Sequence, residues 1–170
     1  KGFNEMQKVG LIDSVHAKIN GAQAEGCSPI TTAFKQGRDF FKPVKPKTIA
    51  KSLAIGNPAD GNYALKTAAE SGGSMEMVTD EEIVDSIKLL AQTEGIFAET
   101  AGGVTIGVLR KLVKQGVIKK SDVTVAYITG NGLKTQEAVI DAVGRPVRIQ
   151  PSLSSFQRTF QLSLQGEGAA

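Results

Sequence analysis

One stretch of the chain has apolar positions with clear helical spacing. These positions lie three or four residues apart and so share one helix face: Ile83, Val84, Ile87, Leu90 and Ala91. Thr79 and Glu82 stand just before them with the spacing of a capping box, in which each side chain binds a backbone N–H group at the helix start. Gly95 follows the last of them, and glycine is common just after a helix. The sequence therefore predicts a helix that begins after Thr79 and ends at Gly95.

The rest of the chain predicts helices that alternate with short strands. Strands are predicted at residues 18–24, 74–78, 96–99 and 123–128, with a last extended piece at residues 146–149. Helices are predicted at residues 1–10, 29–37, 48–55 and 63–71, after residue 103, and from about Leu133. Ser28 and Pro29 suit the N-cap and the first position of the second of these helices. In the helix after residue 103, four apolar residues are expected to point inward: Val108, Leu109, Leu112 and Val113.

Residues 123–128 form the most apolar run of the chain, with no regular alternation of polar positions. A strand of this composition is expected to be covered on both faces, as in the centre of a parallel sheet. Strands separated by helices also imply a parallel sheet between layers of helices. The sequence therefore predicts the α/β class, as a three-layer parallel-sheet domain with helices on both faces.

Ligands of such sheets bind beyond the carboxyl ends of the strands, and three loops of this chain are predicted to lie there. Thr129, Gly130, Asn131 and Gly132 form the strongest candidate, because glycine allows close approach of a ligand and the Thr129 hydroxyl is expected to point into the crevice. Residues 99–103, which begin with Glu99, form a similar turn from strand to helix. The third loop follows the first strand and contains Glu25, Gly26 and Cys27.

Each of these loops also has a purely structural interpretation. Residues 129–132 could be a turn without any ligand, and the small residues at 101–103 favour close packing of a helix. Cys27 is more typical of a small packing residue than of a nucleophile. From the residues alone, the prediction stops at an α/β domain with a crevice of unknown purpose.

Composition and charge exclude several other classes of function. The 170 residues suit one domain, with 41% hydrophobic and 22% charged residues, and the net charge of +3 comes from basic residues spread along the chain. The basic stretch at residues 42–51 contains two prolines and is interpreted as a solvated loop, so no nucleic-acid partner is expected. One cysteine and one histidine give no support for a disulfide, a metal site or a Cys–His pair. No apolar run is long enough for a membrane helix, and neither nucleotide-binding glycine motif is present.

Several stretches, in the same order along the chain, resemble threonine synthase. They are Lys-Gly-Phe-Asn-Glu-Met at residues 1–6, Gly-Ala-Gln-Ala-Glu-Gly-Cys-Ser-Pro-Ile at 21–30, Thr-Ile-Ala at 48–50 with Ile-Gly-Asn-Pro at 55–58, Glu-Ser-Gly-Gly at 70–73, Phe-Ala-Glu and Ala-Gly-Gly within 97–103, and Thr-Gly-Asn-Gly-Leu-Lys at 129–134. The resemblance implies a tryptophan-synthase-β-like fold and pyridoxal 5'-phosphate as cofactor. It also implies the conversion of O-phospho-L-homoserine and water to L-threonine and phosphate.

The resemblance assigns Thr129 to the pyridine nitrogen of the cofactor, with residues 130–132 completing that turn. It places the Schiff-base lysine and the glycine-rich phosphate loop upstream of Lys1, so no catalytic residue is expected in this chain and the isolated chain is expected to be inactive. Residues 1–160 are then expected to be the carboxyl-terminal part of the cofactor-binding large domain, and residues 161–170 a flexible tail. Thr135 departs from the family, which often has aspartate there.

Three further expectations accompany the resemblance. The substrate is a small molecule, a homodimer is possible, and the enzyme is expected in the cytoplasm, or in the plastid of a plant. Two alternatives remain beside threonine synthase itself. One is a portion of a related enzyme of the same fold, such as threonine dehydratase or cysteine synthase, which usually has a different turn at the pyridine nitrogen. The other is a binding module without catalytic activity that derives from half of the enzyme.

Overall fold

A computed structural model describes residues 1–144 and 147–161 of the chain. Within these residues, two strands are formed, β1 at Gly21–Ala24 and β2 at Met75–Val78. The α-helices are α1 at Gly2–Lys8, α2 at Pro29–Lys35, α3 at Gly61–Glu70, α4 at Asp80–Glu94, α5 at Thr100–Lys114, α6 at Ile140–Val143 and α7 at Leu153–Phe160. Short 3-10 turns lie at Lys51–Leu53, Gly132–Lys134 and Gln136–Ala138.

The two strands pair in parallel, with Gly21 opposite Met75 and Ala24 opposite Val78. Successive side chains of a strand point to opposite faces of the sheet, and the two faces contact different helices. On one face, Val78 and Ala24 join a core formed mainly by α4 and α5, which includes Ile83, Ile87, Val104, Val108 and Leu112. On the other face, Met75 packs with residues of α2 and α3: Ile30, Ala33, Leu65 and Ala68. Helices therefore cover both faces of the parallel sheet, as the sequence predicts.

The start and end of α4 confirm the predicted capping box. The Thr79 hydroxyl accepts a hydrogen bond from the Glu82 N–H at 3.2 Å, and the Thr79 N–H donates to the Glu82 carboxylate at 2.8 Å. Gly95 ends the helix in the left-handed region at φ 68°.

The start of α2 is different, because the Ser28 hydroxyl donates to the Glu25 carbonyl at 3.1 Å and caps no N–H group. Ser28 is thus the N-cap residue by position only.

Two of the predicted strands are wrong. Residues 123–128 form no strand, and Val123, Val125 and Tyr127 are 98%, 73% and 76% exposed. Residues 96–99 also form no strand and make a single bridge, between Ala98 and Asn131. The local sequence is suited to a strand in both places, but a strand also needs a neighbouring strand that pairs with its backbone. The described residues provide no such partner for 123–128 and only the short bridge to Asn131 for 96–99.

Other differences concern short or partly packed segments. The helix predicted from Leu133 is divided into two 3-10 turns and α6, and that predicted at residues 48–55 is one 3-10 turn. Val113, expected to point inward, is 52% exposed, whereas Val108 and Leu112 are buried. Residues 147–150 have no regular structure, and α7 was not predicted. Arg145 and Pro146, and residues 162–170 of the predicted tail, lie outside the described residues.

Candidate functional site

The amino-terminal end of α5 lies at the carboxyl edge of the sheet. Going forward along α5, Gly107 packs against Val78, Lys111 donates to the Met77 carbonyl at 2.8 Å, and the Gln115 side chain just after the helix donates to Glu76 at 2.9 Å. The helix therefore runs antiparallel to β2. Its first residues, which follow Glu99, lie beyond the carboxyl end of the strand, where ligands of parallel sheets bind.

Residues 129–132 are held against this end of α5 by backbone hydrogen bonds. The Glu99 N–H donates to the Gly130 carbonyl at 3.0 Å, and the Gly132 N–H donates to the Phe97 carbonyl at 2.9 Å. The Asn131 side chain accepts from the Leu133 N–H at 2.9 Å and so shapes the turn that follows. Two of the three predicted site loops, 99–103 and 129–132, are thus joined directly, although they lie about 30 residues apart in the chain.

Glycine is required at two positions of this turn. A Cβ atom on Gly130 would overlap the carboxylate of Glu99, and one on Gly132 would overlap the ring of Phe97. Neither glycine has a positive φ, so the requirement comes from space and not from backbone conformation. The sequence predicts that these glycines let a ligand approach closely, and that stays a prediction. In the structure the groups that lie against them are the side chains of Glu99 and Phe97.

Glu99 is the most deeply buried carboxylate of the site. Its side chain is 5% exposed, and one carboxylate oxygen, Oε1, lies 3.0 Å from the Lys134 ammonium group. The other oxygen, Oε2, has no hydrogen-bond partner, and neither has the Thr100 hydroxyl beside it in the chain. Buried polar atoms normally have partners, so a water molecule or a polar ligand is needed to complete the hydrogen bonding of these two atoms. The buried hydroxyl of Thr31 likewise has no partner.

Thr135 connects the same two segments from the other side. Its hydroxyl accepts a hydrogen bond from the Thr100 N–H at 3.2 Å, and the residue is 7% exposed. It therefore satisfies one of the free N–H groups in the first turn of α5. Neither Thr135 nor Lys134 was predicted as a site residue. Their partners lie 35 residues away, and no local pattern encodes a contact at that distance.

Thr129 itself is exposed and follows an extended segment that is not a strand. Its neighbour Gly130 lies against the buried Glu99 carboxylate. The expectation that Thr129 lies at the end of a central strand is wrong, because its neighbours at residues 123–128 are unpaired. What positions Thr129 is the contact of Gly130 with Glu99.

The third predicted loop lies at the carboxyl end of β1. The Glu25 N–H donates to the Val78 carbonyl at 2.8 Å, and the Gly26 carbonyl accepts from the Lys47 N–H at 2.8 Å. Cys27 is 1% exposed, and burial raises the pKa of its thiol above the ordinary value despite a hydrogen bond with the backbone of Ile55. A buried thiol of this kind is suited to packing and not to nucleophilic attack. The loop lies on the same edge as the other two, and its hydrogen bonds are made to different partners.

A separate cleft of about 590 Å³ lies between α4 and α5, lined by charged residues that include Glu76, Glu82, Arg110 and Lys111. Glu82 lies 2.7 Å from Lys111, and Glu76 is paired with Lys35. The carboxylates of Glu76 and Glu82 in this cleft are therefore both neutralised by lysines of the chain.

No group of three or more metal-binding side chains is found among residues 1–144 and 147–161. In the same residues, no helix has the length and apolar character needed to cross a bilayer.

The chain belongs to the family of pyridoxal-phosphate dependent enzymes, whose pattern matches residues 2–130. Its relatives include the threonine synthases of Methanocaldococcus jannaschii, 42% identical over 159 residues, and of Methanosarcina acetivorans, 40% identical over 158 residues. These alignments cover 93% and 92% of this chain but 39% of each relative. The chain thus spans about two fifths of the length of these relatives. The resemblance found in the sequence is confirmed.

A solved structure confirms the fold. The processed form of threonine deaminase isoform 2 from Solanum lycopersicum matches 80% of this chain and 38% of that chain, with a TM-score of 0.56 and 16% identity. At this level of identity the likeness concerns the fold alone. The chain is therefore part of an α/β pyridoxal-phosphate fold, and members of this family use pyridoxal phosphate as cofactor.

The residues at the amino-terminal end of α5 are suited to line one side of a bound cofactor. Two buried polar oxygens, on Glu99 and Thr100, lack protein partners, and a turn without Cβ atoms lies directly against one of these residues. Both features are found at the carboxyl edge of the sheet, where the cofactor of such a fold is expected. The fit therefore concerns residues 99–100 and 129–132, and the loop at Glu25, Gly26 and Cys27 lies farther along the same edge.

Proposed function

We propose that this chain is the carboxyl-terminal part of the cofactor-binding large domain of a threonine synthase, with residues 1–160 inside that domain. The observation that carries the proposal is the turn at residues 129–132, held against Glu99 at the start of α5 beside two buried oxygens without partners. The identity of 42% with the threonine synthase of Methanocaldococcus jannaschii supports this enzyme over its relatives of the same fold. The proposed reaction converts O-phospho-L-homoserine and water to L-threonine and phosphate.

In this proposal, Thr129 contributes the hydrogen-bonding partner of the pyridine nitrogen. A hydroxyl group at that position does not hold a proton on the ring as a carboxylate would. Gly130 and Gly132 keep the turn close to the helix end, and Glu99 borders the same space. Bound pyridoxal phosphate supplies the electron sink for carbanion chemistry. The protein groups described here orient the ring and set the electrostatic environment of its nitrogen.

The exposed apolar run before Thr129 also supports the proposal. Val123, Val125 and Tyr127 together form a surface that an independent domain rarely exposes. In a complete enzyme this run is expected to be covered by residues that the chain does not contain.

We further propose a homodimer and a cytoplasmic location. A single cysteine suits a reducing compartment, and light scattering of the complete enzyme tests its oligomeric state.

The first test asks whether the chain completes an enzyme. The matching 159-residue segment of Methanocaldococcus jannaschii threonine synthase is replaced by this chain, and phosphate release from O-phospho-L-homoserine is measured. We expect the chimaeric enzyme to release phosphate and form threonine. A folded chimaera that binds pyridoxal phosphate but acts on threonine or on O-acetylserine instead would favour one of the related enzymes.

The second test concerns Thr129. In the chimaeric enzyme, Thr129→Ala should weaken cofactor binding by about 0.5–1.5 kcal/mol, the typical net contribution of one hydrogen bond. Thr129→Ser retains the hydroxyl and serves as the matched control. The affinity is measured by titration with pyridoxal phosphate after removal of the cofactor. Equal affinities of the original enzyme and the alanine variant would remove Thr129 from the site.

The third test concerns the isolated chain, which we propose is inactive. One hydrogen bond from Thr129 falls far short of the roughly 8 kcal/mol that micromolar binding requires. The chain is mixed with pyridoxal phosphate and reduced with borohydride, and any labelled lysine is mapped by mass spectrometry. We expect only weak labelling spread over surface lysines. Stoichiometric labelling of one lysine together with phosphate release would show that the 170 residues hold a complete active site.

A further inference from the structure

The two ends of the ion pair between Lys134 and Glu99 differ strongly in exposure. The Glu99 side chain is 5% exposed and that of Lys134 is 62% exposed, with 3.0 Å between Nζ and Oε1. A buried carboxylate loses its hydration and is stable only with a compensating charge or with hydrogen bonds. Glu99 has a free oxygen on its other side, so Lys134 provides the compensating charge that holds this carboxylate in place.

The position of the Glu99 carboxylate in turn determines the position of the turn. Gly130 lies directly against this carboxylate, and the Glu99 N–H binds the Gly130 carbonyl at 3.0 Å. The Lys134 ammonium group and the backbone of Gly130 therefore both lie against the same carboxylate oxygen, Oε1. Thr129 is the residue that immediately precedes Gly130 in the chain. A displacement of the carboxylate would release Gly130 and move the Thr129 hydroxyl with it.

We propose that Lys134 is a positioning residue of the cofactor site. It pairs with Glu99, holds the carboxylate against Gly130, and thereby fixes the place of the Thr129 hydroxyl. It also neutralises the charge of the buried carboxylate that lies against Gly130, the residue after Thr129. This inference rests on the proposed function, because it assigns a role to Lys134 within the same site.

The chain contains a matched control pair. Lys51 and Glu137 are also 3.0 Å apart, but their side chains are 73% and 57% exposed. Exposed pairs of this kind contribute little, because both charges remain hydrated whether or not they are paired. Lys51→Met therefore removes the same type of charge at the same distance without leaving a buried carboxylate unpaired.

The experiment measures two properties of the chimaeric enzyme. Amide hydrogen exchange without added cofactor is followed by mass spectrometry in peptides that cover residues 97–100 and 129–135. Pyridoxal-phosphate affinity and the absorbance maximum of the bound cofactor are measured separately. Lys134→Met should raise the exchange rates of these peptides about tenfold. It should also raise the dissociation constant of pyridoxal phosphate about tenfold, which corresponds to roughly 1.4 kcal/mol. It should also shift the absorbance maximum, which loss of stability alone would not change.

Three further variants make the result specific. Lys134→Arg should restore most of the affinity, because it keeps the positive charge. In the Glu99→Gln background, Lys134→Met should have little effect, because no buried charge is left without a partner. Lys51→Met should change neither exchange nor affinity.

Two outcomes would overturn the inference. One is that Lys134→Met leaves the exchange of both peptides as slow as Lys51→Met does. The other is that it accelerates exchange without weakening the cofactor, while Thr129→Ala does weaken it. If instead Thr129→Ala leaves the affinity unchanged, the proposed function of the turn fails. That result is distinct, because the exchange of the cofactor-free protein reports on Lys134 without any reference to the ligand.

Discussion

The segments Met75–Val78 and 123–128 are both short and apolar, yet the chain covers one and exposes the other. Met75 and Val78 are 5% and 0% exposed, and β2 pairs with β1 along its whole length. In the second segment, Val123 is 98% exposed, and residues 123–128 make no backbone hydrogen bond with the described part of the chain. Composition is therefore not what separates them. The difference is whether a partner for the backbone lies within reach.

Backbone groups of β2 also have hydrogen-bond partners on the edge that faces away from β1. The Met77 N–H donates to the Glu76 carboxylate at 2.9 Å, and the Met77 carbonyl accepts from the Lys111 ammonium group at 2.8 Å. Side chains thus satisfy the backbone N–H and C=O groups of Met77, on the edge of β2 that faces away from β1. Residues 123–128 have no comparable contacts among the described residues.

The comparison predicts very different effects for two alanine substitutions. Ile83→Ala removes a side chain that is 0% exposed in the core beside β2, and it should lower the free energy of unfolding by about 2–5 kcal/mol. Val125→Ala, at a position that is 73% exposed, should change it by less than about 0.5 kcal/mol in the 170-residue chain. Urea titrations of both variants measure these values. Similar losses would mean that residues 123–128 are packed in solution.

The free energy of unfolding should depend on pH through Glu76, a residue of β2. Burial opposes ionisation of this carboxyl group, but hydrogen bonds from Gln115, Lys35 and the Met77 N–H outweigh burial and lower its pKa to about 2. A carboxyl group whose pKa is lowered on folding stabilises the protein above its unfolded pKa, near 4.5, and that stabilisation is lost as the pH falls from there towards 2. The loss should approach about 3 kcal/mol.

Urea titrations at several pH values between 7 and 2 test this prediction. Glu76→Gln should flatten this part of the stability profile, whereas Glu5→Gln, in an exposed pair with Lys1, should not. An unchanged slope in the Glu76 variant would show that other carboxyl groups are responsible for the acid sensitivity.

The packing of α5 on α4 should be sensitive to a single methyl group. A Cβ atom on Gly103 would lie 2.8 Å from the Ile83 carbonyl oxygen and 2.9 Å from the Ile83 side chain. Gly103→Ala should therefore destabilise the chain by about 1–3 kcal/mol through overpacking. Gly2→Ala is the control, since nothing lies within 4 Å of that position. Equal melting temperatures for the two variants would mean that α4 and α5 separate easily.

The smallest effect concerns the start of α4. Thr79→Ala removes the hydroxyl that accepts from the Glu82 N–H, and it should cost about 1 kcal/mol. Thr93→Ala makes the same change near the end of the same helix, where the hydroxyl binds the Leu89 carbonyl. That control should be close to neutral. A neutral Thr79 variant in a denaturant titration would show that the helix begins elsewhere.

The sequence alone determined the elements that depend on neighbouring residues. The capping box at Thr79 and Glu82, the end of α4 at Gly95 and the burial of Ile83, Ile87 and Leu90 follow from spacing within one or two helical turns. Ala91, predicted on the same face, is exposed. The family was also recognisable, because short motifs kept their order over most of the chain.

The tertiary structure alone decided which of these elements come together. Residues 123–128 have the sequence of a central strand, but pairing is a contact between distant segments and cannot be read from one of them. The link from Lys134 to Glu99 and the link from Thr135 to Thr100 each cross 35 residues of chain. A carboxylate that is buried next to a glycine, with its charge neutralised by a lysine at the surface, exists only after the chain has folded. Local sequence fixes backbone conformation and capping, whereas burial and charge pairing depend on what the fold brings close.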